Sequence, residues 1–235
     1  MTSSEPNNCK ENFRVALDVG HTPAQPGTRT ARGRTEYELN LNLANFIRNS
    51  LTERGYKNVY LIQMNGSGAD TLERRFLEAN KWKADLFISI HHDSVQDSYL
   101  KTWTVNGTPQ EYSDEFSGYS LFVSGKNPQW RKALSFASLL SDQLLSRKMH
   151  FTLHHVEQEK RELLDESRGI YRFDNLVVLK GFEGPAILLE AAVVVNRQEE
   201  LVAESPERHQ LIADAMFNAI GQFCEARNLP ANSAQ

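Results

Sequence analysis

The sequence predicts a single α/β domain, with a mostly parallel twisted sheet of about five to six strands and helices on both of its faces. Near-continuous apolar runs recur along the chain, which is typical of strands that are covered on both faces. Segments with helical periodicity separate these runs, so strands and helices alternate. The chain has 235 residues, a common length for one α/β domain.

Five apolar runs are predicted to form the strands. They cover residues 13–20, 58–64, 86–90, 119–124 and 185–195. Two stretches fit neither strand nor helix: residues 93–118 are polar, and residues 150–184 carry mixed charges without a sustained period. Long irregular segments inside a compact domain usually have a function, so we expect walls or lids around a site, with plain surface insertions as the alternative.

Four helices are predicted from apolar periodicity and from start signals. They cover residues 36–54, 71–83, 129–147 and 206–227. Thr35 and Glu38 have the spacing of a capping box at the start of the first helix, and Asp70 and Glu73 repeat that spacing before the second. Ser205 is predicted to cap the last helix, because a proline follows it at the first helical position.

The composition and the chain ends limit the classes of function. With 26 basic and 30 acidic residues the net charge is -4, which provides no electrostatic footprint for nucleic acid. No apolar run reaches the roughly 18 residues of a transmembrane helix. Residues 1–12 are polar and are predicted to be a disordered segment, residues 13–228 the domain, and residues 229–235 a tail. The opening lacks the apolar centre of a signal peptide, so a cytosolic protein and an exported one without its signal both remain open.

The two cysteines, Cys9 and Cys224, lie near opposite ends of the chain. Two free thiols with a minor structural role are the expected state. A disulfide is the alternative, because chain termini are often close in space and an oxidising compartment would allow the bond to form.

Three predicted strands end on a side chain that can bind a metal or move a proton. These residues are His21, His91 and Glu190. Ligands of open α/β sheets collect at the carboxyl ends of the strands. If the three strands are parallel, we therefore expect two imidazoles and a carboxylate at one edge of the sheet.

A fourth polar residue, Glu36, stands at the start of the first predicted helix. The capping box occupies Glu38, whereas Glu36 at the first helical position is free to turn towards the preceding loop. We interpret His21, Glu36 and His91 as ligands of one metal ion, because two imidazoles and a carboxylate suit Zn²⁺ with a fourth position left for water. Glu190 is then predicted to be the base that accepts the proton of this water.

Each of these assignments has an alternative. A single histidine after a strand is more often a hydrogen-bonded structural residue, and Glu190 is alternatively a buried acid paired with an arginine. His154 and His155 form a rival ligand pair in an irregular segment. Asp18 is expected to hold a ligating histidine in its tautomer. His92 is expected to point to the opposite face from its neighbour on the strand.

Four ordered motifs carry a resemblance to a known family. They are VALDVGHTP, GRTEYELNLNLA, ADLFISIHHDS and PAILLEAAVVVN. In this order and at these separations they resemble the zinc-dependent N-acetylmuramoyl-L-alanine amidases of bacterial cell-wall turnover, over residues 13–200. The resemblance implies that His21, Glu36 and His91 are the ligands of one Zn²⁺ per chain, and that Glu190 is the catalytic glutamate.

The sequence also departs from the family pattern, chiefly around the first and last motifs. Val19 stands in place of the usual proline, and Thr22 and Pro23 in place of two glycines. The stretch EAAVVVN replaces the more usual Glu-x-Gly-Phe-x-Ser-Asn. All four chemical residues are retained, so we expect these changes to affect the shape of the groove and the choice of substrate.

The resemblance implies hydrolysis of the amide between N-acetylmuramic acid and L-alanine, with peptidoglycan or a muropeptide as substrate and the periplasm or cell envelope as location. An activator protein is a further expected partner. A zinc carboxypeptidase or deacylase and a non-catalytic peptidoglycan-binding domain are the alternatives. Six side chains are candidates for lining the substrate groove or meeting the stem-peptide carboxylates: Trp103, Tyr112, Tyr119, Tyr171, Arg168 and Arg172.

Overall fold

A seven-stranded mixed sheet forms the centre of the protein in a computed structural model, which describes residues 9–157 and 160–228. The strands of the chain are β1 (Arg14–Val19), β2 (Asn58–Ile62), β3 (Leu86–Asp93), β4 (Lys101–Val105), β5 (Thr108–Tyr112), β6 (Ser120–Val123), β7 (Glu162–Asp165), β8 (Ile170–Arg172) and β9 (Ala186–Val193). The order across the sheet is β2-β1-β3-β9-β6-β8-β7. The first four strands are parallel, so β1, β3 and β9 end at the same edge.

Helices cover both faces of this sheet, as the sequence predicts. They are α1 (Cys9–Asn12), α2 (Glu36–Glu53), α3 (Ala69–Lys81), α4 (Trp130–Ser146), α5 (Val177–Gly181), α6 (Glu199–Ala203) and α7 (Pro206–Asn228). The larger apolar core joins α2, α4 and α7 to one face, and a second core joins α3 and α5 to the other. No described helix is long and apolar enough to cross a membrane.

The predicted fold class is confirmed, with differences in the two irregular stretches. The stretch 93–118 contains the hairpin of β4 and β5, which forms a separate two-stranded sheet. The stretch 150–184 contains β7, β8 and α5, and its two short strands extend the main sheet beyond the predicted five to six strands. Strands of three and four residues carry too little apolar pattern to be recognised alone.

The capping predictions have different outcomes for the first two helices. Thr35 and Glu38 form both hydrogen bonds of the capping box on α2. The prediction for α3 is wrong, because that helix begins earlier, at Ala69, and its cap is Gly68 without a side-chain hydrogen bond. Asp70 consequently lies inside the first helical turn.

The N-terminal part of the chain is more ordered than the sequence predicts. Residues 1–8 and 229–235 lie outside the described residues, but the four residues of α1, expected to be disordered, are helical. The prediction of two free thiols is wrong, because Cys9 forms a disulfide with Cys224. The bond links α1 to α7 across a sequence separation of 215 residues, since the sheet brings both chain ends to one side.

Candidate metal centre

The parallel strands place three of the four predicted site residues at one edge of the sheet. His91 lies on β3 opposite Glu190 on β9 in the strand register. His21 follows the end of β1, where the backbone N–H of Gly20 donates to the carbonyl oxygen of Ile90. The expectation that these three side chains lie at one edge of the sheet is therefore confirmed.

Glu36 joins them from the start of α2 and bridges the two histidines. Its Oε2 lies 3.0 Å from His21 Nε2, and its Oε1 lies 2.9 Å from His91 Nδ1. One donor atom from each of the three residues lies within 4.8 Å of the other two. We call these three residues the His21 cluster. Its two nitrogens and one carboxylate oxygen are the ligand types that zinc takes.

The charge state of Glu36 also suits a ligand. Burial by itself raises the pKa of this carboxyl group, but hydrogen bonds and positive charge from His21 and His91 outweigh the burial and hold the pKa well below its usual range. The backbone N–H of Thr28 donates a further hydrogen bond to Oε2, at 3.1 Å. Glu36 is therefore ionised at neutral pH.

Two glycines leave space for this cluster. A Cβ atom on Gly27 would lie 2.3 Å from Oε2 of Glu36, and the φ of Gly27 is +76°. A Cβ atom on Gly20 would lie 2.4 Å from Nε2 of His91. A side chain at either position would displace a member of the cluster, so the backbone shape fits the His21 cluster closely.

His21 itself has a left-handed backbone conformation, with φ of 66°. Arg75 on α3 stabilises this turn, because its guanidinium donates hydrogen bonds to the carbonyl oxygens of Val19 and His21. Asp18 holds the guanidinium from the other side at 2.6 Å, and Ser89 donates to Asp18 at 2.7 Å. The expectation that Asp18 contacts a ligating histidine is wrong: Asp18 acts on His21 through Arg75.

A second support lies behind Glu36. The side-chain amide of Asn40 donates to Glu36 Oε1 and to the carbonyl oxygen of Gly20, both at 3.2 Å. His92 Nδ1 donates to the amide oxygen of Asn40 at 2.8 Å, since that oxygen can only accept. Burial lowers the pKa of His92 to about 3, so His92 is neutral and orients Asn40 from the face opposite His91.

Comparison with known proteins identifies the family. Residues 15–222 match the family model described as N-acetylmuramoyl-L-alanine amidase. The chain belongs to this amidase family.

Its relatives are distant in sequence. The uncharacterized protein YqiI of Bacillus subtilis is 25% identical over 217 residues, which are 91% of this chain and 85% of YqiI. The N-acetylmuramoyl-L-alanine amidase AmiC of Neisseria meningitidis is 23% identical over 218 residues, which are 89% of this chain. The chain spans about half of AmiC, 52% of its length.

Solved structures share the fold of this amidase-family protein. An N-acetylmuramoyl-L-alanine amidase from Clostridium difficile has a TM-score of 0.68 at 20% identity, with 92% of this chain and 98% of that chain covered. The CwlD amidase from Clostridioides difficile, solved in complex with the GerS lipoprotein, has a TM-score of 0.63 at 16% identity, with 92% and 100% covered.

Glu190 of this amidase-family protein lies between charges of both signs. Its Oε2 is buried and has no hydrogen-bond partner among the described residues. Burial, together with the negative charges of Asp93 and Glu36, raises the pKa of this carboxyl group well above its ordinary value, and the positive charge of Arg161 acts in the opposite direction. Among the described residues Glu190 forms no ion pair with an arginine, and Arg161 acts on it only through its charge.

The rival ligand pair, His154 and His155, forms a separate group around Asp93. Nε2 of His155 lies 2.6 Å and Nε2 of His154 lies 3.4 Å from Asp93 Oδ2. We call these three residues the Asp93 cluster. Its donor atoms also lie within 4.8 Å of one another, so the described part of the chain contains two groups of two imidazoles and one carboxylate. Asp93 shares β3 with His91 but is not among the site residues predicted from the sequence.

A groove of about 440 Å³ opens beside the His21 cluster. His21, His91 and Arg75 form its polar side, while Leu188 and residues 176–178 form an apolar wall. The groove therefore gives a substrate access to the two histidines.

The predicted groove residues lie elsewhere. Tyr119 and Tyr171 are fully buried in the core, and Trp103 and Tyr112 contact each other on the hairpin of β4 and β5. Arg168 forms ion pairs with Asp142 and Asp165, and Arg172 with Asp174 and Glu162. These arginines already have carboxylate partners and are poorly suited to bind a substrate carboxylate.

Proposed function

We propose that the protein hydrolyses the amide between N-acetylmuramic acid and the L-alanine of the stem peptide, with one Zn²⁺ held by His21, Glu36 and His91. Family membership supports the choice of bond. The observation that carries the proposal is the convergence of these three donors from β1, α2 and β3, beside Glu190 on β9. Three protein ligands leave a coordination position free, as in catalytic zinc sites.

The donor set and its surroundings support zinc as the metal. Glu36 is ionised, and the Gly20 and Gly27 backbone leaves the donor atoms room that any Cβ atom would fill. A bound zinc ion supplies a Lewis acid for the amide carbonyl and lowers the pKa of a bound water. The chain's own contribution is to hold three donors in place with Arg75, Asn40 and Thr28.

Glu190 is proposed as the general base and acid. In the described residues its buried Oε2 is free to accept a proton from water and then to deliver it to the leaving amine. Burial and the nearby negative charges raise its pKa, so this carboxyl group takes up a proton more readily than an exposed glutamate does. The position of Glu190 opposite His91 in the strand register supports a role beside the proposed zinc ligands.

The proposed location is outside the cytoplasm, in the periplasm or cell envelope. The Cys9–Cys224 disulfide supports this location, since such bonds persist mainly in oxidising compartments. The proposed substrate is found there too. An activator protein for this chain stays a prediction, because the GerS complex concerns CwlD.

The test is mass spectrometry of purified disaccharide tetrapeptides incubated with the protein, with and without a zinc chelator. The proposal expects free disaccharide and an intact peptide that begins at L-alanine, and it expects the chelator to abolish both products. A peptide shortened from its other end would instead identify a carboxypeptidase. Intact substrate with zinc-loaded protein would favour the non-catalytic binding domain.

A further inference from the structure

The positive charge of Arg161 acts on both Asp93 and Glu190. Its Nη1 donates a hydrogen bond to Nδ1 of His155. The guanidinium carbon lies 5.4 Å from the ring centroid of Phe122 and 5.3 Å from that of Phe173. The side chain is therefore positioned by a histidine and two aromatic rings, with burial lowering the pKa of the guanidinium while it remains cationic.

This guanidinium has no carboxylate within ion-pair distance among the described residues, unlike Arg168 and Arg172. Its described hydrogen bonds involve Nη1 alone. The edge formed by Nε and Nη2 therefore has no hydrogen-bond partner among the described residues. That planar edge matches the two oxygens of a carboxylate, which it can bind through two parallel hydrogen bonds.

The strand register relates Phe122, against which Arg161 packs, to the position of Glu190. Ser120 of β6 lies opposite Glu190, and Phe122 lies opposite Leu188. Phe122, which contacts Arg161, is thus one side-chain repeat along the same face of the sheet from the Glu190 position, about 7 Å at 3.3 Å per residue. A substrate that runs from Glu190 along this face of the sheet towards Phe122 would pass Arg161.

The substrate under the proposed function has a carboxyl group at a similar spacing. The second stem residue is a D-glutamate linked through its side chain, and its α-carboxyl group is either free or amidated. The L-alanine nitrogen and this carboxyl carbon are about 6 Å apart, from 3.8 Å between consecutive Cα atoms and one bond at each end. A free carboxylate can thus reach Arg161 while the scissile amide lies at Glu190.

We propose that Arg161 binds the free α-carboxylate of the second stem residue and makes the enzyme select unamidated stem peptides. This inference rests on the proposed function. The Asp93 cluster has a matching role, because Asp93 fixes His155 and His155 fixes the guanidinium. Arg161 is a specificity-determining residue in this account, and the sequence gives no local signal for it.

The test uses two disaccharide tetrapeptides that differ only in a free or amidated α-carboxyl group on the second residue. The wild-type protein is expected to hydrolyse the free acid with a kcat/KM about 10- to 100-fold higher, the range for a hydrogen-bonded charged group. Arg161→Gln should lower kcat/KM for the free acid by that factor, mainly through KM, and leave the amidated substrate unchanged. Arg161→Lys should retain part of the preference.

Arg168→Gln is the matched control, because Arg168 is already paired with Asp142 and Asp165. It should leave the substrate preference at its wild-type value. Equal rates on both substrates for the wild type, or an equal loss on both in Arg161→Gln, would overturn the role of Arg161 alone. Hydrolysis of neither substrate by the zinc-loaded wild type would overturn the proposed function and, with it, this inference.

Discussion

The His21 cluster and the Asp93 cluster have the same types of donor but different surroundings. Each contains two imidazoles and one carboxylate, and both include a residue of β3. The side chains of His21 and His91 are 33% and 17% exposed, whereas those of His154 and His155 are 0% and 1% exposed. An ion and a substrate can therefore reach the first cluster far more easily than the second.

The second difference is the positive charge of Arg161 next to the Asp93 cluster. Arg161 can only donate, so the Nδ1 of His155 that it contacts must accept. The proton of the neutral imidazole then lies on Nε2, the nitrogen that faces Asp93. A metal ion at this cluster would be repelled by the nearby guanidinium. The neighbours of a donor set therefore decide its role as much as the donors do.

The largest expected effect is the loss of activity when a His21-cluster ligand is removed. His21→Ala should reduce muropeptide turnover by at least about 1,000-fold, because it removes both the metal and the chemistry the metal supplies. His155→Ala is the matched variant in the Asp93 cluster, and it should keep turnover within about tenfold. Initial rates with zinc in excess measure both. Equal losses in the two variants would remove the distinction between the clusters.

Glu190 lies near both clusters, but we do not expect it to be a metal ligand. Glu190→Ala should retain zinc and lose about 100- to 10,000-fold in kcat, the usual contribution of a general base. Parallel assays of bound zinc and turnover check this. Near-normal rates would show that another group accepts the proton, and loss of zinc would show that Glu190 is a ligand.

A smaller effect is expected from the support of the His21 cluster. Arg75→Lys removes the planar guanidinium group that donates hydrogen bonds to Asp18 and to the carbonyl oxygen of His21. We expect it to weaken zinc affinity about 10- to 100-fold. Arg74→Lys, at an exposed position on the same helix, is the control and should leave the affinity unchanged. Competition with a chelating dye measures the affinity. An unchanged affinity in Arg75→Lys would mean that the His21 turn is held by other contacts.

The smallest effect on the two clusters should come from the disulfide. Cys224→Ser removes a cross-link that closes a 215-residue separation, which costs about 5 kcal/mol of stability in the chain-entropy estimate. Thermal unfolding should shift to lower temperature, while zinc content and turnover below the transition stay at wild-type values. A loss of zinc from the folded variant would link the chain ends to the His21 cluster.

The sequence predicts the parts of this site that depend on local pattern. The strand ends identify His21, His91 and Glu190, and the capping box separates Glu36 from Glu38. These inferences need only the alternation of strands and helices and the rule that parallel strands end at one edge. Their roles as zinc ligands and base stay predictions.

The remaining features depend on contacts between distant segments. Arg75 reaches His21 from a helix more than 50 residues further along the chain, and Cys9 and Cys224 are separated by 215 residues. Asp93 could have been recognised by extending the third strand, since alternation places it near the face of His91. Arg161 lies in a segment without periodicity, so no local pattern links it to Glu190.

Zinc content per chain tests the distinction between the two clusters most directly. Inductively coupled plasma mass spectrometry of protein dialysed against buffered zinc gives this number for the wild type, His21→Ala and His155→Ala. The account predicts about one, zero and one zinc ion per chain, respectively. Two zinc ions in the wild type with one lost in His155→Ala, or zinc retained by His21→Ala, would contradict it.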